Sequence, residues 1–282
     1  MSSASLWRFK QSSVIPGFGI TLGYTLLYLG LIVLLPLGAL VTKATSIGLT
    51  GILSTAADPR VAAALWTSFG VSLIAAGVAS VFGLLVAWVL TRYDFPGRKL
   101  VDAMVDLPFA LPTAVAGIAL AALYAPNGWI GSFLEPLGIR VAYTPLGIFV
   151  ALVFIGLPFA VRTVQPLIAE IEGELEEASA TLGASRWRTI WGILLPPLLP
   201  GILTGFALAF ARAVGEYGSV IFIAGNLPYV SEIAPLLIVI KLSEYDYTGA
   251  TVIATIMLAI SFAALLLINL IQAWSRRRYG YV

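Results

Sequence analysis

Arg212 and Glu216 stand four residues apart within the apolar run GFALAFARAVGEYGSVIFI. Charged side chains are costly at membrane depth and are usually found facing a protein interior or a wet cavity. The i,i+4 spacing allows the two to pair on one helical face, which lowers that cost. Two chemistries fit. The pair is either an internal brace, tying this chain to a partner, or a source of positive potential along a path for a divalent anion. In the second case Arg212 attracts the anion and Glu216 orients Arg212. Gly215 and Gly218 flank the carboxylate and permit close helix approach. Asp102 and Asp106 repeat the same spacing at the start of another apolar run. With Arg98 close in sequence, they read as interfacial residues or partners of Arg98 rather than a proton relay.

The residue types that are missing narrow the chemistry further. The chain has no cysteine and no histidine. Disulfides and thiolate metal sites are thereby excluded, and the commonest general base and metal ligand is gone. No G-x-x-x-x-G-K-[ST] sequence occurs, so a phosphate-binding loop of that type is absent. No catalytic residue, metal site or cofactor is expected, and any ATP-driven work must come through a partner. A net charge of +2 gives no reason to expect a nucleic-acid partner.

The elements that must position these residues are membrane spans. Of 282 residues, 60% are hydrophobic and only 11% charged, with a mean hydropathy of +0.98. Soluble domains carry about 25% charged residues, so the chain is expected to be an all-α polytopic membrane protein. Crossing a bilayer takes about 20 apolar residues as helix. Six runs qualify, near 18–42, 63–90, 101–125, 145–165, 198–224 and 249–274. The first is too long for a signal-peptide core and lacks a small-residue cleavage site, so it reads as a retained span. The third contains Pro108 and Pro112 and is expected to be one kinked helix, because membrane helices tolerate proline where neighbours satisfy the freed carbonyls.

Lysine and arginine in the connections set the orientation. One set of connections carries Arg8 and Lys10; Arg92, Arg98 and Lys99; Arg162, Arg186 and Arg188; and Arg276, Arg277 and Arg278. The other carries only Lys43, Arg60, Arg140 and Lys241. Both termini and the 163–197 connection are therefore expected in the cytoplasm. Trp274, Tyr279 and Tyr281 fit an interfacial anchor. Segment 227–248 lies on the opposite side. Its apolar part is too short to span, and reads either as a short interfacial or receptor-facing helix or as a loop packed on the bundle. The expected organisation is a single transmembrane domain over 1–282, with a core of spans two to six at 63–273 and a cytoplasmic loop at 170–196.

That loop reads EASATLGASRWRTIWGILLP over 177–196. Glu174–Leu182 is rich in helix formers. Gly183 can take a positive φ and end the helix. Ser185 is a credible N-cap for a second helix over Arg186–Leu195, which Pro196 and Pro197 are expected to stop. A helix, a sharp turn and a helix entering the membrane could dock on a partner and transmit its movement. The same residues could equally be a solvated amphipathic loop.

The spacing Glu177-Ala178-Ser179, three residues, Gly183, nine residues, Ile193, one residue, Leu195-Pro196 resembles the E-A-A–x3–G–x9–I-x-L-P motif of ABC-transporter permease subunits. It departs from that motif at Ser179, where the family has a second alanine. In that family the motif forms the coupling helix that docks on the ATP-hydrolysing subunit. LPFALPTAVAGIAL (107–120) resembles the third-span signature of type I importer permeases, and GEYGSVIFIAGN (215–226), with Tyr217 and Ser219, resembles the fifth-span signature of permeases for tetrahedral oxyanions. PGFGITLGYTLLYL and VSEIAPLLIVIKLSEYDYTGAT extend the likeness over the whole chain to the T-subunit group of sulfate/thiosulfate importers.

The resemblance implies a type I ABC importer permease fold of six spans in a bacterial inner membrane. It implies no nucleotide site in this chain, an ATP-hydrolysing subunit pair, a second homologous permease and an extracytoplasmic anion-binding protein as partners, and alternating access for sulfate or thiosulfate. Two rivals stay open: a molybdate or tungstate permease, and a secondary transporter driven by an ion gradient. The latter would often show inverted repeats and broken spans, neither of which is clear here.

Overall fold

The computed structural model describes residues 17–279, with side chains through Ser275. Arg8, Lys10 and Tyr281 lie outside the described residues. So do the side chains of Arg276, Arg277, Arg278 and Tyr279. The described chain is helical throughout, without a strand. In order come α1 (Phe18–Thr45), α2 (Gly48–Ala56), α3 (Pro59–Arg92), α4 (Arg98–Val105), α5 (Leu107–Ala110), α6 (Thr113–Tyr124), α7 (Gly131–Leu134), α8 (Pro145–Glu170), α9 (Gly173–Thr181), α10 (Arg186–Val214), α11 (Val220–Ile223), α12 (Ala234–Ser243) and α13 (Tyr247–Tyr279). Five of them, α1, α3, α8, α10 and α13, are long and apolar enough to cross a bilayer.

The core is a three-helix junction of α3, α8 and α10, and small residues make it possible. A Cβ on Gly83 would stand 2.5 Å from that of Ala160, and one on Gly205 would stand 3.0 Å from the Ala160 Cα. Gly156 approaches both Ala79 and Ala209. In lipid no hydrophobic gain pulls helices together, so backbones must come close enough to gain van der Waals contact. Below this junction Ala87 and Leu90 pack against Val161, Val164, Ile168 and Leu198. By contrast, α1 buries almost nothing and touches mainly α13. An apolar helix exposed on every side belongs in lipid.

The third run departs from expectation. It is broken into α4, α5 and α6 rather than kinked. Leu111 takes ψ 134, an extended conformation. Proline disfavours the helical region for the residue before it, and Pro112 imposes that here. α6 has 12 residues, about 18 Å at 1.5 Å per residue, too short to cross alone. The segment 98–124 thus supplies short helices where the third of the six expected spans falls, beside the five long apolar ones.

Prolines are absorbed differently in α1 and α10. Each contains a π-helical turn, Gly30–Leu34 and Ile190–Leu194, closed by Leu35 N–H to the Gly30 carbonyl and Leu195 N–H to the Ile190 carbonyl. Pro36 follows the first and Pro196 the second. The wider π turn relieves the clash of the proline ring with the carbonyl four residues back. The helix expected to stop at Pro196-Pro197 therefore runs on to Val214.

Segment 227–248 contains α12, packed on α13 and α3. Ala234 and Leu237 join Val61, Ala64, Leu65 and Ile253 in one cluster. Of the two expected readings, the structure has a helix that is part of the bundle. Just beyond it, Asp246 accepts the Gly249 N–H at 2.8 Å, which together with Lys241 holds its carboxyl below the usual carboxylate range.

Candidate functional site

Two sets of residues carry chemistry: the hairpin between α8 and α10, and the charged groups buried within the bundle.

The hairpin is built by its own sequence. α9 ends where Gly183 takes φ +76. The Gly183 N–H then reaches the Ala180 carbonyl at 3.0 Å, and the Ala184 N–H reaches Ser179 at 3.1 Å. These bonds satisfy carbonyls that a helix end leaves open. Ser185 caps α10, its Oγ accepting the Arg188 N–H at 3.4 Å. Ser179, the residue that departs from the family motif, is buried, and its hydroxyl shares a hydrogen bond of 2.6 Å with that of Thr189. Glu177, Ala178 and Gly183 are exposed, while Ile193, Leu195 and Pro196 are half-buried where α10 joins the bundle. Leu182 is 87% exposed and Trp187 71%, an apolar surface at the tip.

Arg212 and Glu216 do pair, Nη1 to Oε2 at 2.5 Å. They do not share a helical face as the spacing predicts. α10 ends at Val214, and Glu216 lies in the turn before α11. Its other oxygen accepts the Ser219 N–H at 2.8 Å and the Ser219 hydroxyl at 3.0 Å. Gly218 permits a close approach here, since a Cβ on it would fall 2.2 Å from Thr113 Oγ1. Likewise one on Gly117 would fall 2.3 Å from the Ser219 carbonyl. The 215–219 turn is thus pressed against α6. The Glu216 side chain is 2% exposed and that of Arg212 34%. Tyr217 is half-buried, packed on the Ile148–Leu152–Val220 cluster. The hairpin residues and this pair lie at opposite ends of α10.

Two further charged clusters escaped sequence reasoning. Arg60 holds the buried Glu232 in a bidentate pair, Nε to Oε2 at 2.8 Å and Nη2 to Oε1 at 2.7 Å. Asp102 and Asp106 are both held by Arg162 of α8, at 2.7 Å each, with Gln165 alongside. Arg98 pairs instead with Asp94. Sequence order puts Arg162 among the connection cations, whereas it lies inside α8, which runs on to Glu170. A cation inside the apolar stretch LPFAVRTVQPL was the one available signal, and it does not name the partner.

Residues 79–281 match the family of binding-protein-dependent transport system inner membrane components. The chain belongs to this family. Over 257 residues the permease is 53% identical to the sulfate transport system permease protein CysT of Synechococcus elongatus, covering 91% of this chain and 92% of that protein. It is 49% identical to the Escherichia coli protein of the same name over 281 residues, covering 98% and 100%. Among solved structures, a bacterial ABC transporter for alginate superposes with a TM-score of 0.73 at 16% identity, covering 92% of this permease and 95% of that chain. The MetNI methionine ABC transporter, in an inward-facing conformation, gives 0.53 at 22% identity, covering 77% and 95%. At these identities the structures speak for the fold alone. They agree that this permease has the ABC importer permease architecture.

Proposed function

We infer that this permease moves sulfate through an ATP-driven importer by alternating access, coupled to a separate pair of ATP-hydrolysing subunits. The observation that carries the cargo is identity at about half of all positions, along nearly the whole chain, with proteins named as sulfate permeases. Thiosulfate, tetrahedral and doubly charged like sulfate, fits the same reading.

The 170–196 hairpin is the ATPase-docking element. Glu177, Ala178 and Gly183 stand exposed on it, and the apolar tip at Leu182 and Trp187 offers area to a partner. Both termini lie in the cytoplasm by the lysine and arginine bias, which puts the hairpin on the ATPase side. A second permease subunit completes the pathway, and an extracytoplasmic anion-binding protein delivers the cargo. ATP and anion drive the cycle by favouring different states of the same bundle.

Arg212 and Glu216 divide their labour. Glu216 already serves Arg212 and both Ser219 donors, so it is the structural member. Arg212 gives one nitrogen to Glu216 and keeps a third of its side chain open, so it lends positive potential to the anion's path, with Tyr217 and Ser219 fixing the turn beneath it.

Radiolabelled sulfate uptake by the assembled transporter, with molybdate as competitor, tests the cargo. Uptake unaffected by molybdate is expected, and equal competition would reassign the cargo to molybdate or tungstate. Co-purification tests the coupling. The ATPase should remain bound to the parent chain and be lost on Gly183→Val. A chain that transports without any ATPase would be a gradient-driven carrier.

A further inference from the structure

Three helix ends meet on one guanidinium at the hairpin end of the bundle. Arg92 is the last residue of α3. Its Nη2 donates to the carbonyl of Ile171, just past the end of α8, at 3.0 Å, and stands 3.3 Å from Glu176 Oε1 in the first turn of α9. The guanidinium carbon also lies 5.3 Å from the centroid of the Trp88 ring. Each contact suits an arginine. The end of α8 carries the negative pole of its helix dipole, Glu176 supplies a carboxylate, and the indole face attracts a cation. Arg92 Nε is buried without an acceptor, so the side chain is held there by its other contacts.

On α9, three residues past Glu176, Ser179 bonds to Thr189 of α10. α9 thus has two tethers leading to different elements. One runs through Ser179 to α10. The other runs through Glu176 and Arg92 to α3 and the end of α8, which pack along most of their length.

We propose that Arg92 is a positioning residue of the coupling machinery, which locks α9 to the ends of α3 and α8 so that a push on α9 is delivered to those spans as well as to α10. The proposal rests on the reading of α9 as the ATPase-docking helix. It adds that the docking helix has an output to α3, with which it is not continuous in the chain, and that a single side chain carries it.

The chain has no cysteine, so two engineered thiols can be spin-labelled cleanly in the full transporter. Val89→Cys on α3 and Glu174→Cys on α9 report the distance across the Arg92 tether, measured with and without trapped ATP. In the parent the distance should be narrow and the same in both states. In Arg92→Ala it should broaden and become nucleotide-dependent, and the ratio of anion transported to ATP hydrolysed should fall several-fold. Glu176→Gln, which leaves Arg92 on the Ile171 carbonyl, should give the same loss of rigidity with folding intact, and Arg92→Lys should recover part of the ratio. A parent distance that already shifts with ATP, or variants that leave both distance and ratio unchanged, would overturn the proposal. Loss of the ATPase from the parent complex would instead defeat the docking reading itself, and co-purification reads that separately.

Discussion

The hydroxyls of Ser179 and Thr189 lie 2.6 Å apart across the turn of the hairpin, one on the last full turn of α9 and the other in the first turn of α10. The position at which this chain departs from the permease motif it resembles is therefore the position that closes the hairpin. An alanine there could not make the bond.

Ser179→Ala should restore the family motif and loosen the hairpin. A lost hydrogen bond of this kind costs about 0.5–1.5 kcal/mol. Amide exchange over 173–189 should quicken by a corresponding factor of about 2–10, while the ATPase stays bound. Unchanged exchange would mean the two hydroxyls bond to water as well as to each other.

Arg212→Lys should leave assembly intact and lower sulfate uptake, because lysine keeps the charge but not the planar fork that suits an oxyanion. Glu216→Ala should do more. It removes the acceptor of both Ser219 donors and leaves Arg212 unpaired, so thermal stability of the complex should fall along with uptake. Wild-type uptake in Arg212→Lys would reduce the pair to a brace.

Glu232→Ala should destabilise the permease strongly. Breaking a buried pair leaves an uncompensated charge, at a cost of 3–5 kcal/mol for full burial. The Arg60 side chain is 31% exposed, so roughly 2–3 kcal/mol is expected here. Denaturation of Glu232→Ala, Arg60→Met and the double variant measures it, and the double variant should lose less than the two singles together.

Gly83→Val should force α3 and α8 apart, since even one added carbon meets the Ala160 side chain at 2.5 Å. Overpacking of this kind costs about 1–3 kcal/mol. Ala160→Gly should recover part of the lost stability, which a swollen helix elsewhere would not allow.

Gly183→Asn should keep more ATPase binding than Gly183→Ala. Nothing lies within 4 Å of a Cβ built at Gly183, so the penalty is backbone strain at φ +76. Asparagine tolerates the left-handed region better than alanine. Equal retention measured by co-purification would mean the turn is not held in that conformation when docked.

The sequence by itself determined the solvent, the helical class and the hairpin. Long apolar runs can satisfy their backbone in lipid only as helices, and helix formers, Gly183 and Ser185 act on their immediate neighbours, so local order fixes them. It also announced the Arg212–Glu216 pair, because four residues is a short reach. Tertiary structure alone decided the rest. Pro112 acts locally on Leu111, yet only the folded backbone shows that the outcome is a break there and a π turn rather than a stop at Pro196. Partners distant in sequence, Arg162 with Asp102 and Asp106, and Arg60 with Glu232, left no local periodicity to read. Glu216 lies outside the helix, in a 215–219 turn that Gly218 and Gly117 let press against α6. Spacing along a chain fixes what one helix can do alone. Which charge meets which, and where a helix must yield, is set by the close packing of helices that only the folded bundle brings together.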